Sequence, residues 1–142
     1  MTGMIGTFES FDHTADVGFV MESATLEGLF EIRGAALFSL IVEDSSTVDP
    51  AVCVVVELEE EDLNFLFFDW MAHLLSLFTT RSLVLSRFEV TFTPRGLRGV
   101  CQGEPVALDK HRLEHEVKAI TYHGLEIKQT AAGYTARVVM DI

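Results

Sequence analysis

The stretch Leu63-Asn64-Phe65-Leu66-Phe67-Phe68-Asp69-Trp70-Met71-Ala72-His73-Leu74-Leu75-Ser76-Leu77-Phe78 decides the fold class. It is apolar at helical spacing on nearly every side, and such a helix must be buried over most of its surface. The expectation is a central core helix, or one whose outer face is covered by a partner. Asn64, Asp69, His73 and Ser76 interrupt it, and it is too short to span a bilayer, so no membrane association is expected. Beyond Thr79 the period changes from helical to alternating. Leu83–Leu85, Phe88–Thr93 and Leu97–Gln102 read as strands, with Pro94-Arg95-Gly96 as a hairpin turn. Val117–Tyr122, Leu125–Gln129 and Tyr134–Met140 follow, turned at His123-Gly124 and at Ala131-Ala132-Gly133.

Upstream of the helix, Ala51–Leu58 is β-branched and reads as a buried strand. Thr25 is a suitable N-cap for a helix from Leu26 to Val42, within which Gly34 and Ala35 are either a close-packing point or a weak spot. Thr7–Phe11 and Val17–Met21 read as two short strands, leaving Asp12–Asp16 in their connection. Two early helices and a strand-rich second half define an α+β fold. The expectation is one compact two-layer domain over residues 1–142, with two helices packed on a largely antiparallel sheet.

Charge narrows the partners. Ten Lys and Arg stand against 22 Asp and Glu, a net charge of −12. A protein that grips nucleic acid directly carries the opposite, basic footprint, so strong direct nucleic-acid binding is not expected. A cation or a basic partner protein suits this balance, as does plain solubility. The acidic run Glu57-Leu58-Glu59-Glu60-Glu61-Asp62 suits the positive end of a helix macrodipole. Cys53 and Cys101 are far apart and show no CxxC pattern, so both are expected to be buried free thiols. The first residues lack the basic and apolar regions of a signal peptide, and a cytoplasmic location is expected.

Chemistry concentrates in three places. Phe11-Asp12-His13-Thr14-Ala15-Asp16-Val17-Gly18 puts two carboxylates, an imidazole and a hydroxyl at the mouth of an apolar run. Asp and Thr are also ordinary turn formers and caps, so this loop alone is open between a site and a turn. The chain ends on an apolar strand followed by Asp141-Ile142, which makes the terminal carboxylate a fixed anion beside the Asp141 side chain. If Asp16 lies alongside, three negative charges meet, and each like-charge pair at ~4 Å costs on the order of 4 kcal/mol at an effective dielectric of ~20. Such a cluster calls for a proton, wide separation or a hard cation. Oxygen-only ligands point to Ca2+ or Mg2+, with Ca2+ the more tolerant of irregular geometry. Lys118, a lone cation in Glu116-Val117-Lys118-Ala119, is either a surface charge or the partner of that corner. No nucleophile-elbow, phosphate-loop, GxGxxG, HExxH or EF-hand pattern is present.

Taken together, Phe11 to Gly18, Gly103-Glu104-Pro105, Glu116 to Leu125 and the terminal Asp141-Ile142 resemble the archease family, in order and over essentially the whole chain. The resemblance implies an activator of the GTP-dependent RtcB-type RNA ligase of tRNA splicing, one that promotes guanylylation of the ligase and its repeated turnover without being an enzyme itself. It implies a calcium site made by Asp16, Asp141 and the terminal carboxylate of Ile142, with Mg2+ or Mn2+ as substitutes, and a functional need for Lys118. Asp12, His13 and Thr14 would surround that site. Two rivals stay open: a stand-alone metal-dependent hydrolase using the same carboxylates, and a general chaperone or adaptor working through the apolar helix.

Overall fold

The computed structural model describes residues 6–12 and 16–142, the side chains of 9–12, 16 and 123 excepted. Among the described residues the order is β1 (Thr7–Asp12), β2 (Asp16–Ser23), α1 (Leu26–Ile41), β3 (Val52–Glu59), α2 (Leu63–Arg81), β4 (Leu83–Thr93), β5 (Gly96–Pro105), β6 (Ala119–Thr130) and β7 (Gly133–Asp141). A short 3-10 turn, Ser45–Thr47, follows α1.

Two helices pack on antiparallel strands, but the strands form two sheets. One has the order β1-β2-β7-β6 and the other β3-β5-β4, and every pairing is antiparallel. Both helices touch strands of both sheets, α1 through β2, β7 and β4, α2 through β6, β3 and β4, so one continuous core joins the halves. No helix among the described residues is long and apolar enough to cross a membrane.

Local chemistry sets the helix ends. The Thr25 hydroxyl accepts from the Gly28 amide at 3.0 Å, the capping role expected of it. Asp62 does the same for α2, accepting from the Phe65 amide at 3.0 Å. The acidic run thus divides, Glu57 and Glu59 lying in β3 while Asp62 serves as the cap. Ser82 closes α2 in the left-handed region, φ 54°, and its amide donates to the Phe78 carbonyl at 3.0 Å.

The more deeply buried helix is α1, not α2. Phe30, Leu37, Phe38 and Ile41 are inaccessible, and a Cβ at Gly34 would lie 2.7 Å from the Phe88 ring, so the close-packing reading of Gly34 holds. α2 buries Leu66, Phe67, Trp70, Met71 and Leu74 but turns Phe65, His73 and Ser76 outward. Trp70 Nε1 donates to the Phe30 carbonyl at 2.8 Å, and its ring lies against Gly99 of β5, where a Cβ would approach it to 2.5 Å.

Three expectations need correction. β3 is an edge strand, not a buried one: Val56 is its one fully buried residue, and Val52 and Val55 are exposed. With it Cys53 is exposed, while Cys101 on β5 is buried as expected. His123-Gly124 is not a turn. β6 runs through it, and its register with β7 shifts between Thr121 and Glu126, the mark of a bulged strand. The turns at Pro94-Arg95 and Ala131-Ala132 are found where the sequence places them, as two-residue hairpin connections.

Candidate functional site

β2 and β7 are the inner strands of the four-stranded sheet, and their register fixes the site. Val17, Phe19 and Met21 pair with Met140, Val138 and Ala136, and all six face the core. Period-two alternation then assigns the intervening β7 residues, the last of them Asp141, to the opposite face of the sheet. The backbone partner of Asp141 on β2 is Asp16. Directly opposed residues of an antiparallel pair share a face at about 4.5–5.5 Å between Cβ atoms, and like charges so placed destabilise each other.

Ile142 returns to the apolar side, half-buried and packed against the core, and this anchors the end of the chain. Asp141 is half-exposed. Lys118 approaches from the other flank: Ala119 is the β6 partner of Asp141, and the Lys118 amide donates to the Asp141 carbonyl at 2.8 Å. The Lys118 side chain is exposed and joins no ion pair among the described residues.

The delivery of Lys118 to this corner has a local cause. The last carbonyls of a helix lack intrahelical partners. Those of Leu40 and Ile41 in α1 accept from the amides of His115 and Glu114, at 3.0 and 2.9 Å. An isolated bridge of Val42 to Leu113 and burial of Val117 complete the track. The segment between β5 and β6 is thereby threaded along the end of α1 into the corner. Asp12 closes β1 opposite Val17. His13 and Thr14 lie outside the described residues.

The register therefore brings Asp16, Asp141, Ile142 and Lys118 to one end of one sheet. Among the described side chains, which do not include that of Asp16, no group of three metal-ligating residues occurs. The donor chemistry fits a hard cation: two carboxylate residues on adjacent strands, with half-buried Ile142 fixing the segment beside them.

A second polar constellation escaped the sequence reading. Glu104, from Gly103-Glu104-Pro105, accepts from Lys110 Nζ at 2.7 Å, from His111 Nε2 at 2.8 Å and from the Asp49 amide at 2.8 Å. Lys110 Nζ also reaches Asp49 at 2.7 Å. His111 is fully buried, and its Nδ1 accepts from the Ala107 amide at 3.0 Å, which leaves Nε2 as the nitrogen that donates to Glu104. The bond to Lys110, then those to Asp49 and His111, hold the Glu104 carboxyl down at about 2. This network ties the connection after β5 to the loop after α1. It stabilises the route to Lys118. The partners span up to 61 residues of sequence, so no local pattern announces them.

The model of the archease protein family matches residues 8–142. The chain belongs to the archease family. A protein archease of Methanosarcina acetivorans is 35% identical over 140 residues, covering 95% of each chain. That of Thermococcus gammatolerans is 37% identical over 140 residues, covering 95% of this chain and 98% of its own. The solution structure of a Methanobacterium thermoautotrophicum protein superposes with a TM-score of 0.79 at 34% identity, covering 95% of this chain and 98% of that one. The crystal structure of a Thermotoga maritima archease, described there as a possible chaperone, shares the fold with a TM-score of 0.66 at 18% identity, over 94% and 96% of the two chains. The resemblance read from the motifs is thus a family membership, and the archease fold accounts for both sheets.

Proposed function

We propose that this archease is a cytoplasmic, metal-binding activator of an RtcB-type RNA ligase in tRNA splicing, promoting guanylylation and multiple turnover of the ligase without catalysis of its own. The observation that carries this reading is the cross-strand pairing of Asp16 with Asp141 at the anchored end of the chain. Two acids held opposite each other by backbone register cost stability unless something positive sits with them.

Asp16, Asp141 and the Ile142 carboxylate would hold the cation, Ca2+ in the first instance, with Mg2+ or Mn2+ as substitutes. When bound, the ion would neutralise the carboxylates and offer a Lewis-acidic contact to phosphate oxygens. The protein's own part is to present this corner, stiffened by Ile142 and by the strand register, to the ligase's nucleotide-and-metal site. Lys118, exposed beside Asp141, would pair with the corner or with a triphosphate. Asp12, His13 and Thr14 would complete the surroundings of Asp16.

The test is a ligase guanylylation and multiple-turnover ligation assay with and without the protein, repeated with Asp16→Ala, Lys118→Ala and Asp141→Ala. Stimulation by the native chain and its loss in the variants are expected; unchanged stimulation by all three removes the mechanism. Hydrolysis by the protein alone, with Ca2+ or Mg2+ and no ligase, would instead favour a metal-dependent hydrolase. A chaperone working through α2 finds less support, because α2 spends most of its apolar surface on the core.

A further inference from the structure

Away from the carboxylate corner, the three-stranded sheet leaves β3 at its edge. Natural edges are blunted by bulges, prolines, lysines or brevity. β3 has no bulge, proline or lysine, and its charged residues, Glu57 and Glu59, stand in its second half. It runs eight residues, Val52-Cys53-Val54-Val55-Val56-Glu57-Leu58-Glu59, about 26 Å at 3.3 Å per residue, in unbroken register with β5. The other edge strands of the two sheets that are as long, β4 and β6, both carry register shifts.

The first half of β3 is uncharged and exposed at Val52 (37%), Cys53 and Val55 (46%), with Val54 half-buried against the core. Its second half leads into the carboxylates Glu57, Glu59, Glu60, Glu61 and Asp62. Arg98 stands opposite Glu57 on β5, whereas Glu59 and Glu61 join no ion pair among the described residues. At that end lies an open cavity of about 450 Å3 whose lining includes Glu57, Glu59, Thr93, Pro94, Arg95 and Leu97.

The geometry points to β3 as a strand-addition site for an extended, basic segment of a partner protein. Backbone pairing along the free edge would give the affinity, and alternate side chains of the segment would fall on the two faces, apolar ones beside Val52 and basic ones beside Val55, Glu57 and Glu59. Charge selects this occupant over a second copy, because each copy brings a net −12 and a repeat of the same acidic run. The site is independent of the ligase-activating corner: it lies on the other sheet and uses none of that corner's residues.

The probe is a short peptide alternating valine and lysine, with a valine–glutamate peptide as control. Hydrogen exchange on the full chain reports backbone pairing, and a fluorophore on Cys53 reports affinity. Cys101 stays unlabelled, its thiol buried and pushed up to about 12. The expected result is selective slowing of the Val52–Glu59 amides by the lysine peptide. Val55→Lys and Glu59→Lys, both at exposed positions, should each weaken binding at least about tenfold. Three results would overturn the proposal: no slowing at millimolar peptide, equal slowing by the glutamate peptide, or a dimer of the unliganded chain whose β3 amides are already slow.

Discussion

Asp16 and Asp141 are cross-strand partners, the first residue of β2 against the last of β7. With no cation, removing either charge should relieve repulsion. Asp141→Asn is expected to raise the thermal midpoint in chelator, by an amount equivalent to about 0.2–1 kcal/mol. Adding Ca2+ should reverse the order, since a ligand at 100 times its Kd stabilises the native chain by about 2.7 kcal/mol and Asp141→Asn should gain little. Calorimetry in chelator and in Ca2+ checks both halves.

Glu104 predicts an acid-limb effect. Its carboxyl is held at about 2 in the folded chain against an ordinary 4.5, by Lys110 first and then by the Asp49 amide and His111. A depressed carboxyl favours the fold above its unfolded value, and that contribution is lost as pH falls from about 4.5 through about 2. Urea midpoints measured from pH 5 down to 2 should fall less steeply in Glu104→Gln than in the native chain.

Glu31 has the opposite sign. Its side chain is buried on α1, where it accepts from the Val90 amide at 2.9 Å, and burial raises its pKa above 4.5. The unfolded chain therefore ionises first, so the contribution of Glu31 is fully present below 4.5 and is lost as pH rises through the raised value. Glu31→Gln keeps an acceptor for Val90 and should flatten that decline, gaining relative stability as pH rises above 4.5.

Arg33 is the other charge inside the core. It is inaccessible, its Nε meets the Met71 sulfur, and neither terminal nitrogen has a partner among the described residues. Burial lowers its pKa to about 9. A buried charge without compensation is less stable than an apolar replacement of similar volume, so Arg33→Met should stabilise by about 1–4 kcal/mol in denaturant titrations.

The helices were legible because periodicity and caps are local: Thr25 and the apolar run from Leu63 suffice to place them. The tail was legible for a related reason. An apolar strand that ends on Asp141-Ile142 must be paired somewhere, and its partner turned out to begin at Asp16. β3 misled because β-branched composition is shared by edge and central strands, and only sheet order tells Cys53 in the open from Cys101 in the core. His123-Gly124 misled because glycine serves bulges as readily as turns. The Glu104 network had no local signature at all.

Trp70 is the chain's one tryptophan, and it sits where α1, α2 and β5 converge, bonded to the Phe30 carbonyl and pressed on Gly99. The molecule thus carries a built-in optical gauge of whether its layers remain docked. Indole emission should redden when the core opens and stay unchanged when damage is confined to the chain-end corner, so one spectrum separates a broken scaffold from a silenced contact point.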